Sequence, residues 1–209
     1  MNSTRVTSPL LRPHGSPARW RTIELLTAAI IGVVFGVAYW GYSSTYTALP
    51  GLKALTGPFV GLVNGPWLIA GVISGLVIRR VGAAFFAEVL AAVVSTQLGT
   101  EWGWTTVISG VVQGAGAELA FAIFLFRRFT WPVAALSGAL AAVGGFCYEW
   151  FTWLPGFDLE YKLGYLGAFV ISGALVAGIG GWVLTAALAR TGAIDALPAG
   201  QEAARHNAV

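Results

Sequence analysis

The fold of this chain is decided by residues 55–98, LTGPFVGLVNGPWLIAGVISGLVIRRVGAAFFAEVLAAVVSTQL. Two apolar runs, residues 55–78 and 82–98, lie on either side of Arg79 and Arg80. A helix needs about 20 apolar residues to cross a bilayer, and basic residues concentrate in the cytoplasmic connections between such helices. The stretch therefore predicts two membrane helices that are joined by a short basic turn.

The composition of the whole chain agrees with a membrane protein. Of its 209 residues, 56% are hydrophobic and only 10% are charged, whereas a soluble domain carries about 25% charged residues. So few charges cannot cover a soluble surface of this size, which excludes a soluble domain. We predict an all-α integral membrane protein, a bundle of six transmembrane helices. The six apolar runs are residues 22–43, 55–78, 82–98, 104–126, 132–152 and 164–189.

The arginines set the orientation of the predicted bundle. Pairs at 79–80 and 127–128 follow the second and fourth runs, Arg190 follows the sixth, and further arginines precede the first. All of them fall on one side, and the positive-inside rule makes that side cytoplasmic. Both termini are then cytoplasmic, and the protein belongs in the cell membrane. The predicted parts are a disordered basic tail, a membrane domain and a C-terminal tail, residues 1–21, 22–190 and 191–209.

The same charges argue against several other classes of protein. The formal net charge is +3, but no basic face with interleaved aromatic residues is present, so nucleic-acid binding is excluded. A single cysteine, Cys147, and two histidines in the tails provide no metal cluster. No P-loop and no catalytic motif occurs in the chain. We therefore expect neither an enzyme nor a bound cofactor.

Glu88, Glu118 and Glu149 lie farther inside the apolar runs than Glu24 does, and the runs hold no lysine or arginine. A charge at the bilayer centre costs about 2.5–3.5 kcal/mol even on lenient scales, so these carboxyl groups should face a polar cavity, carry a proton or bind a cation. A cationic ligand is one prediction. Alternatively, Glu88 and Glu118 pair with each other or with arginines at the inner edge, and Glu149 is exposed at the interface. Glu24 is expected to lie at the interface and outside any site.

Polar and aromatic residues extend the candidate site toward the outer side. Asn64 precedes Gly65 and Pro66, where a break in the second helix is expected, and Gln113 lies in the fourth run. Trp67 directly follows the break. Aromatic residues at the predicted outer ends complete the candidate set: Trp40, Trp102 and Tyr148. Interhelical hydrogen bonds and an interfacial aromatic belt are the alternatives, but together these residues suit a flat, cationic, heteroaromatic ligand.

A stripe of small residues marks one face of the first helix. Ala28, Gly32 and Gly36 recur at every fourth position, and such a stripe lets another helix approach closely. The neighbouring helix could belong to a partner subunit or to the same bundle, and the sequence leaves both possibilities open.

Four stretches resemble the YkoE family, the thiamine- or hydroxymethylpyrimidine-type substrate-binding (S) components of energy-coupling-factor (ECF) vitamin transporters. They are NGPWLIAGVISGLVIRRVGAAFFAEVLAA (64–92), GVVQGAGAELAF (110–121), FCYEWF (146–151) and ISGALVAG (171–178). The resemblance implies a six-helix subunit that binds thiamine or its pyrimidine precursor from the outer side. It also implies a membrane coupling (T) subunit and cytoplasmic ATPase (A) subunits as partners.

The resemblance also assigns residues. Glu88, Gln113, Glu118, Tyr148 and Glu149 fall on motif positions of the family. The small-residue stripe resembles the coupling-subunit contact of other S components. Two other functions stay open: a proton-coupled secondary transporter of organic cations with Glu88 or Glu118 as proton carrier, and a membrane protein with a structural or assembly role.

Overall fold

The computed structural model describes residues 18–49 and 51–207, and this part is built from helices and turns. The predicted all-helical class is confirmed. The α-helices are α1 (Thr22–Thr47), α2 (Gly51–Thr56), α3 (Ile69–Ile78), α4 (Ala83–Gln97), α5 (Thr105–Ile123), α6 (Trp131–Thr152), α7 (Leu159–Ser172), α8 (Gly181–Arg190) and α9 (Pro198–Asn207). Two 3₁₀ segments, Gly57–Val63 and Gly65–Leu68, join α2 to α3, and a π-helical segment, Gly173–Gly180, joins α7 to α8.

Four helical stretches of the described residues are long and apolar enough to cross a membrane on their own. A fifth candidate is bent by 45° between Gly57–Val63 and Gly65–Ile78, and α4 is apolar but short. The four unbroken stretches are Thr22–Thr47, Thr105–Ile123, Trp131–Thr152 and Leu159–Arg190. Length and hydropathy thus give four or five membrane spans. A count of six would require α4 to cross the membrane as well.

The break predicted at Asn64 is confirmed. One 3₁₀ segment ends just before Asn64 and the next begins just after it, because Pro66 has no N–H to continue a helix. The backbone groups at the break are satisfied by α7: the Gly65 N–H donates to Ser172 Oγ at 3.0 Å, and that hydroxyl donates to the Leu62 carbonyl. The break is therefore a stable feature that is buried in protein, as membrane proteins require.

Helix α3 lies at the centre of the bundle, and its residues from Ala70 to Ile78 are all buried. Helix α4 packs between α1 and α5, and α6 packs between α5 and the π-helical segment. The bundle has two distinct ends. We call them the basic end (Arg21, Arg79, Arg80 and Arg190) and the aromatic end (Tyr46, Trp102, Trp153 and Phe157).

The small-residue stripe on α1 is buried inside the bundle. Gly32 and Gly36 pack against α4, and a Cβ added at Gly36 would lie 2.6 Å from Val94 Cβ. Ala28 is buried in an apolar cluster with residues of α3. In this structure the small residues of the stripe therefore allow close packing of helices within the same chain. A coupling-subunit contact at these residues stays a prediction, and it would require α1 and α4 to separate.

The basic end is closed by ion pairs. Glu24 is 0% exposed and Arg80 is 3% exposed, and Arg80 Nη2 lies 3.0 Å from Glu24 Oε1. Arg21 also donates to Glu24 Oε1 at 3.0 Å. Glu24 lies in the first turn of α1 and outside the cavity lining, but it is buried in protein, which the sequence did not indicate. A buried carboxylate needs a cation, and Glu24 obtains it from the turn between α3 and α4.

The C-terminal segment folds back onto the basic end. Ile194 and Leu197 pack into an apolar cluster with residues of α1 and α3, and Glu202 of α9 forms an ion pair with Arg79. The segment predicted as a tail, residues 191–209, thus includes a docked helix over its described part. Only the end of the predicted N-terminal tail, from Ala18 onward, lies within the described residues.

Candidate functional site

A cavity of about 220 Å³ lies between α1, α4, α5, α6, α7 and the 3₁₀ break, toward the aromatic end. Ligand pockets usually measure roughly 300–1,000 Å³, and this cavity is somewhat smaller. Its size therefore limits the ligand to a small molecule. Seven of the nine residues predicted to bind substrate line it. They are Asn64, Trp67, Glu88, Trp102, Gln113, Tyr148 and Glu149.

One wall of the cavity is aromatic. The Trp67 ring lies edge-on to Tyr46 and Trp102, with ring centroids 5.4 and 5.6 Å away. The Trp67 Nε1–H donates to Ser43 Oγ at 3.1 Å, which fixes the orientation of the indole. The 3₁₀ break places Trp67 here, because it turns the chain immediately before this residue. Such a wall offers ring faces for stacking or for cation–π attraction.

Glu149 faces the cavity from the last turns of α6. The Tyr165 hydroxyl of α7 donates to Glu149 Oε2 at 2.6 Å, and Asn64 Nδ2 donates to the same Tyr165 oxygen. This chain of hydrogen bonds connects the 3₁₀ break, α7 and α6 at one point. It holds the Glu149 carboxyl in a fixed position beside the aromatic residues.

Glu88 lies deeper than Glu149. It is 1% exposed, accepts from the Tyr39 hydroxyl at 3.2 Å, and accepts at Oε2 from the Gly71 N–H at 2.7 Å. Tyr39 in turn accepts from the Ala70 N–H at 2.9 Å. The hydrogen-bond donors at this carboxyl are neutral and come from α1 and α3. The sequence left open that Glu88 pairs with Glu118 or with an arginine. Among the described residues it pairs with neither.

The two cavity carboxyl groups lie at different depths. Glu88 is nine residues from the end of α4, whereas Glu149 is three residues from the end of α6. At about 1.5 Å per residue, the difference corresponds to about 9 Å along the bundle axis. The cavity therefore has a carboxyl group near the aromatic end and another at its floor.

Gln113 and Tyr148 line the cavity from the facing helices α5 and α6. Gln113 is 7% exposed, and a Cβ added at Gly145 would lie 3.0 Å from its Nε2. Gly145 thus provides the space in which the Gln113 amide lies. Within the described residues this amide makes no hydrogen bond, and the side chain lines the cavity.

Glu118 lies outside the cavity, at the basic end. Its carboxyl group accepts from the N–H groups of Gly82, Ala84 and Phe85 at 2.6, 2.9 and 3.2 Å. These are free donors at the start of α4, and a carboxylate there also interacts favourably with the helix dipole. Glu118 therefore binds the start of a neighbouring helix, and we omit it from the candidate site.

Trp40 also lies outside the cavity. Its side chain is 39% exposed, while its neighbour Tyr39 is buried. The two residues are about 100° apart around α1, so only one of them can face the bundle interior. The structure places Trp40 on the exposed face of α1, and a role for it in substrate binding stays a prediction.

Several cavity residues were not among the sequence candidates. Tyr39, Tyr46, Tyr165, Thr106 and Ser109 line the cavity. Tyr39 could have been found, because the small-residue stripe continues to it: the buried positions of α1 are Glu24, Ala28, Gly32, Gly36, Tyr39 and Ser43. Extending the stripe in steps of three and four residues also leads to the buried Glu24.

The cavity lining carries two carboxyl groups, and its described residues include no lysine, arginine or histidine. The buried Lys162 lies elsewhere, with its Nζ 4.3 Å from the centre of the Trp150 ring. The described part of the chain also holds no group of three or more His, Cys, Asp or Glu residues that could bind a metal ion. The arrangement is suited to a small aromatic cation with hydrogen-bonding edges.

Known proteins with similar sequence or structure are transport proteins. Residues 23–144 match a family model described as the permease component of an ABC-type cobalt transport system. YkoE of Bacillus subtilis (strain 168), whose name proposes that it is an HMP/thiamine permease, is 33% identical over 185 residues, 88% of this chain and 92% of that protein. The crystal structure of an S-component of an ECF transporter matches with a TM-score of 0.85 at 31% identity, covering 90% of this chain and 95% of that one.

Proposed function

This chain belongs to the YkoE family of substrate-binding (S) components of ECF transporters, and we propose that it binds thiamine or its hydroxymethylpyrimidine precursor. The membership makes it a membrane transport protein and not an enzyme, as the sequence predicted. The name of the Bacillus subtilis relative supports this substrate class. The chemistry of the cavity supports it independently.

The observation that carries the proposal is the position of Glu149 beside the aromatic wall of a cavity whose described lining has no cationic side chain. Thiamine carries a fixed positive charge and two flat rings. A carboxylate supplies the opposite charge, and Trp67 and Trp102 supply ring surfaces. Gln113 and Asn64 would hydrogen-bond the polar edges of the ligand, with Glu88 at the floor and Tyr148 opposite Gln113.

The matching family model names cobalt, which is a different class of cargo. A cobalt site needs several nitrogen, oxygen or sulfur ligands around one point. The described residues bring together no group of three His, Cys, Asp or Glu side chains. For this chain we therefore favour an organic cation over a metal ion.

The proposed membrane arrangement has six helices, with α4 as a short span, the bent stretch Gly57–Ile78 as another, and both termini in the cytoplasm. It is supported by the arginines, which cluster at one end of the bundle. The aromatic end and its cavity then face outward. The sequence contains no P-loop, so ATP hydrolysis would come from A subunits that act through a T subunit.

The test is calorimetric titration of the purified protein with thiamine, with hydroxymethylpyrimidine and with CoCl₂. We expect saturable binding of at least one organic ligand, quenching of tryptophan fluorescence, and no binding of cobalt. Absence of heat and of quenching at high micromolar concentrations of both organic ligands would overturn the proposal. Saturable cobalt binding alone would assign the chain to metal transport.

A transport assay separates an S component from a secondary transporter. Proteoliposomes that contain this chain alone should accumulate no thiamine, with or without a pH gradient. Addition of T and A subunits and ATP should start uptake. Uptake by the chain alone under a pH gradient would establish the proton-coupled alternative, with Glu88 as the remaining candidate proton carrier in the cavity.

A further inference from the structure

One face of α5 presents a row of polar side chains to the cavity. Thr106, Ser109 and Gln113 are spaced i, i+3 and i+7, so they lie on the same face of the helix. All three line the cavity. We call them the α5 polar row. At about 1.5 Å per residue, the row extends over about 10 Å, the length of a small two-ring molecule.

The α5 polar row differs in its hydrogen bonding from several other hydroxyl groups of the bundle. Thr96, Thr152 and Thr185 each donate to the carbonyl four residues earlier, at 2.8–3.1 Å. The Thr106 hydroxyl makes no such hydrogen bond, although its Oγ1 is buried. Across residues 18–49 and 51–207, Ser109 and Gln113 also lack any side-chain hydrogen bond.

The neighbouring hydroxyl of Thr105, and not that of Thr106, donates to the carbonyl at the end of the preceding turn. Trp102 O accepts from the Thr105 hydroxyl at 2.6 Å, and Trp102 O is the carbonyl four residues before Thr106. Buried polar groups in native proteins nearly always have partners. Thr106 Oγ1 is such a buried exception, and Ser109 and Gln113 line the cavity on the same helix face. This grouping indicates that the partner is the molecule that the cavity binds.

Close packing holds the row in place. A Cβ added at Gly110 would lie 2.5 Å from Ala92 Cβ, and one at Gly114 would lie 3.1 Å from Glu88 Cβ. These glycines lie between and beside the row residues and let α5 contact α4 directly. Gly145 of α6 contacts the Gln113 amide on the other side. The row is therefore presented by a rigid helix, which keeps its hydrogen-bonding groups at fixed spacing.

We propose that the α5 polar row, Thr106, Ser109 and Gln113, determines the specificity of the cavity by pairing with the neutral hydrogen-bonding edge of a heteroaromatic ligand. The inference rests on the proposed function and adds the ligand class that the site selects. An amide offers a donor and an acceptor side by side, which complements a ring nitrogen next to an amino group. The two hydroxyl groups can donate or accept, which suits a pendant hydroxyl of the ligand.

A division of tasks follows for the cavity. Glu149 and the aromatic wall attract any flat cation. The α5 polar row rejects cations that lack a hydrogen-bonding edge, because such a ligand leaves buried polar groups unpaired. A site that is built to hydrogen-bond its ligand discriminates more strongly than an apolar pocket does.

The experiment measures Kd for thiamine, hydroxymethylpyrimidine and N-benzylpyridinium, a two-ring cation without hydrogen-bonding groups. The variants are Thr106→Val, Ser109→Ala and Gln113→Leu. For the preferred vitamin ligand we expect Kd to rise roughly 2- to 10-fold in the first two and more in the third. Binding of N-benzylpyridinium should stay the same or tighten, so the preference for the vitamin falls.

Thermal stability of the ligand-free variants distinguishes a binding role from a structural one. Removal of a hydroxyl that has no partner should leave the Tm unchanged or raise it, whereas removal of a structural hydrogen bond would lower it. Ser95→Ala is the matched control, since Ser95 Oγ is also buried without a described partner but lies outside the cavity lining. This control should bind every ligand like the wild type.

Two results overturn the inference, and they have different meanings. If the wild type binds a vitamin ligand and all three variants keep its Kd and its preference over N-benzylpyridinium, the row does not determine specificity, while the proposed function stands. If the wild type binds neither thiamine nor hydroxymethylpyrimidine, the proposed function fails and the inference fails with it.

Discussion

At the basic end, the acidic side chains Glu24, Glu118 and Glu202 bind groups of the same chain, whereas at the aromatic end Glu149 faces a cavity. Glu24 and Glu202 pair with Arg80 and Arg79, and Glu118 accepts from three backbone N–H groups. The comparison separates carboxyl groups whose partners close one end of the bundle from one that Tyr165 holds at the edge of a cavity. Position inside an apolar run does not make this distinction.

The largest expected effect comes from breaking the basic end. Arg80→Met leaves Glu24 buried without its main cation, and the loss of one partner of a buried ion pair costs about 3–5 kcal/mol. We expect a large drop in Tm of the detergent-purified protein. Ligand affinity of the fraction that folds should stay unchanged, because the ion pair lies outside the cavity.

A double variant keeps this prediction testable if Arg80→Met does not fold. Replacing both partners, Glu24→Leu with Arg80→Met, removes the unpaired charge and should recover most of the Tm, as apolar replacements of buried ion pairs often do. A double variant as unstable as the single one would show that the ion pair is not the source of the effect.

Glu149→Gln should act on binding and not on stability. The change removes the charge but keeps the size and a hydrogen-bond acceptor for Tyr165. Loss of a charged hydrogen-bonding partner corresponds to a roughly 10- to 100-fold weaker Kd for thiamine by calorimetry. Glu101→Gln, at an exposed acid of the same end, is the control and should bind like the wild type. Equal affinity in both variants would contradict the assignment of Glu149.

Glu118→Gln should lower stability and leave ligand binding unchanged, and the effect should be smaller than that of Glu149→Gln on binding. The amide offers fewer acceptor sites and no charge at the start of α4, so we expect a loss of about 1 kcal/mol of stability. Hydrogen exchange should quicken at Gly82, Ala84 and Phe85. Thiamine affinity should not change. A weaker Kd without a loss of stability would place Glu118 in the ligand site after all.

The smallest effect is expected at the aromatic residues. Trp67→Phe keeps a ring but removes the Nε1–H bond to Ser43, so we expect a few-fold weaker Kd and loss of most of the ligand-induced fluorescence quenching. Trp40→Phe is the matched control on the exposed face of α1 and should keep both. The opposite pattern would mean that the binding surface lies on the outside of the bundle.

The sequence predicted the features that depend on local chemistry. The helical class follows from apolar runs, and the break at Asn64 follows from Gly65 and Pro66 alone. The grouping of Asn64 and Gln113 in one cavity also followed, since similar depth on neighbouring helices brings polar residues together. These predictions needed no knowledge of how the helices are rotated.

The structure departs from the expectations of the sequence where helix rotation and tertiary contacts decide which residues face the cavity. Trp40 and Tyr39 are adjacent in sequence, and only the packing of α1 on α4 determines which of them faces inward. Glu118 resembles a ligand-binding acid until the start of α4 is placed beside it. Glu24 obtains a cation from Arg80, 56 positions away, which no local pattern reveals.

The most direct test of the account is an experimental structure of the protein with thiamine or hydroxymethylpyrimidine bound. We predict ligand density between the Trp67 and Trp102 rings and Glu149, with a polar edge directed at Thr106, Ser109 and Gln113. Density at the basic end, on the outer surface beside Trp40, or on the far side of α5 would contradict it.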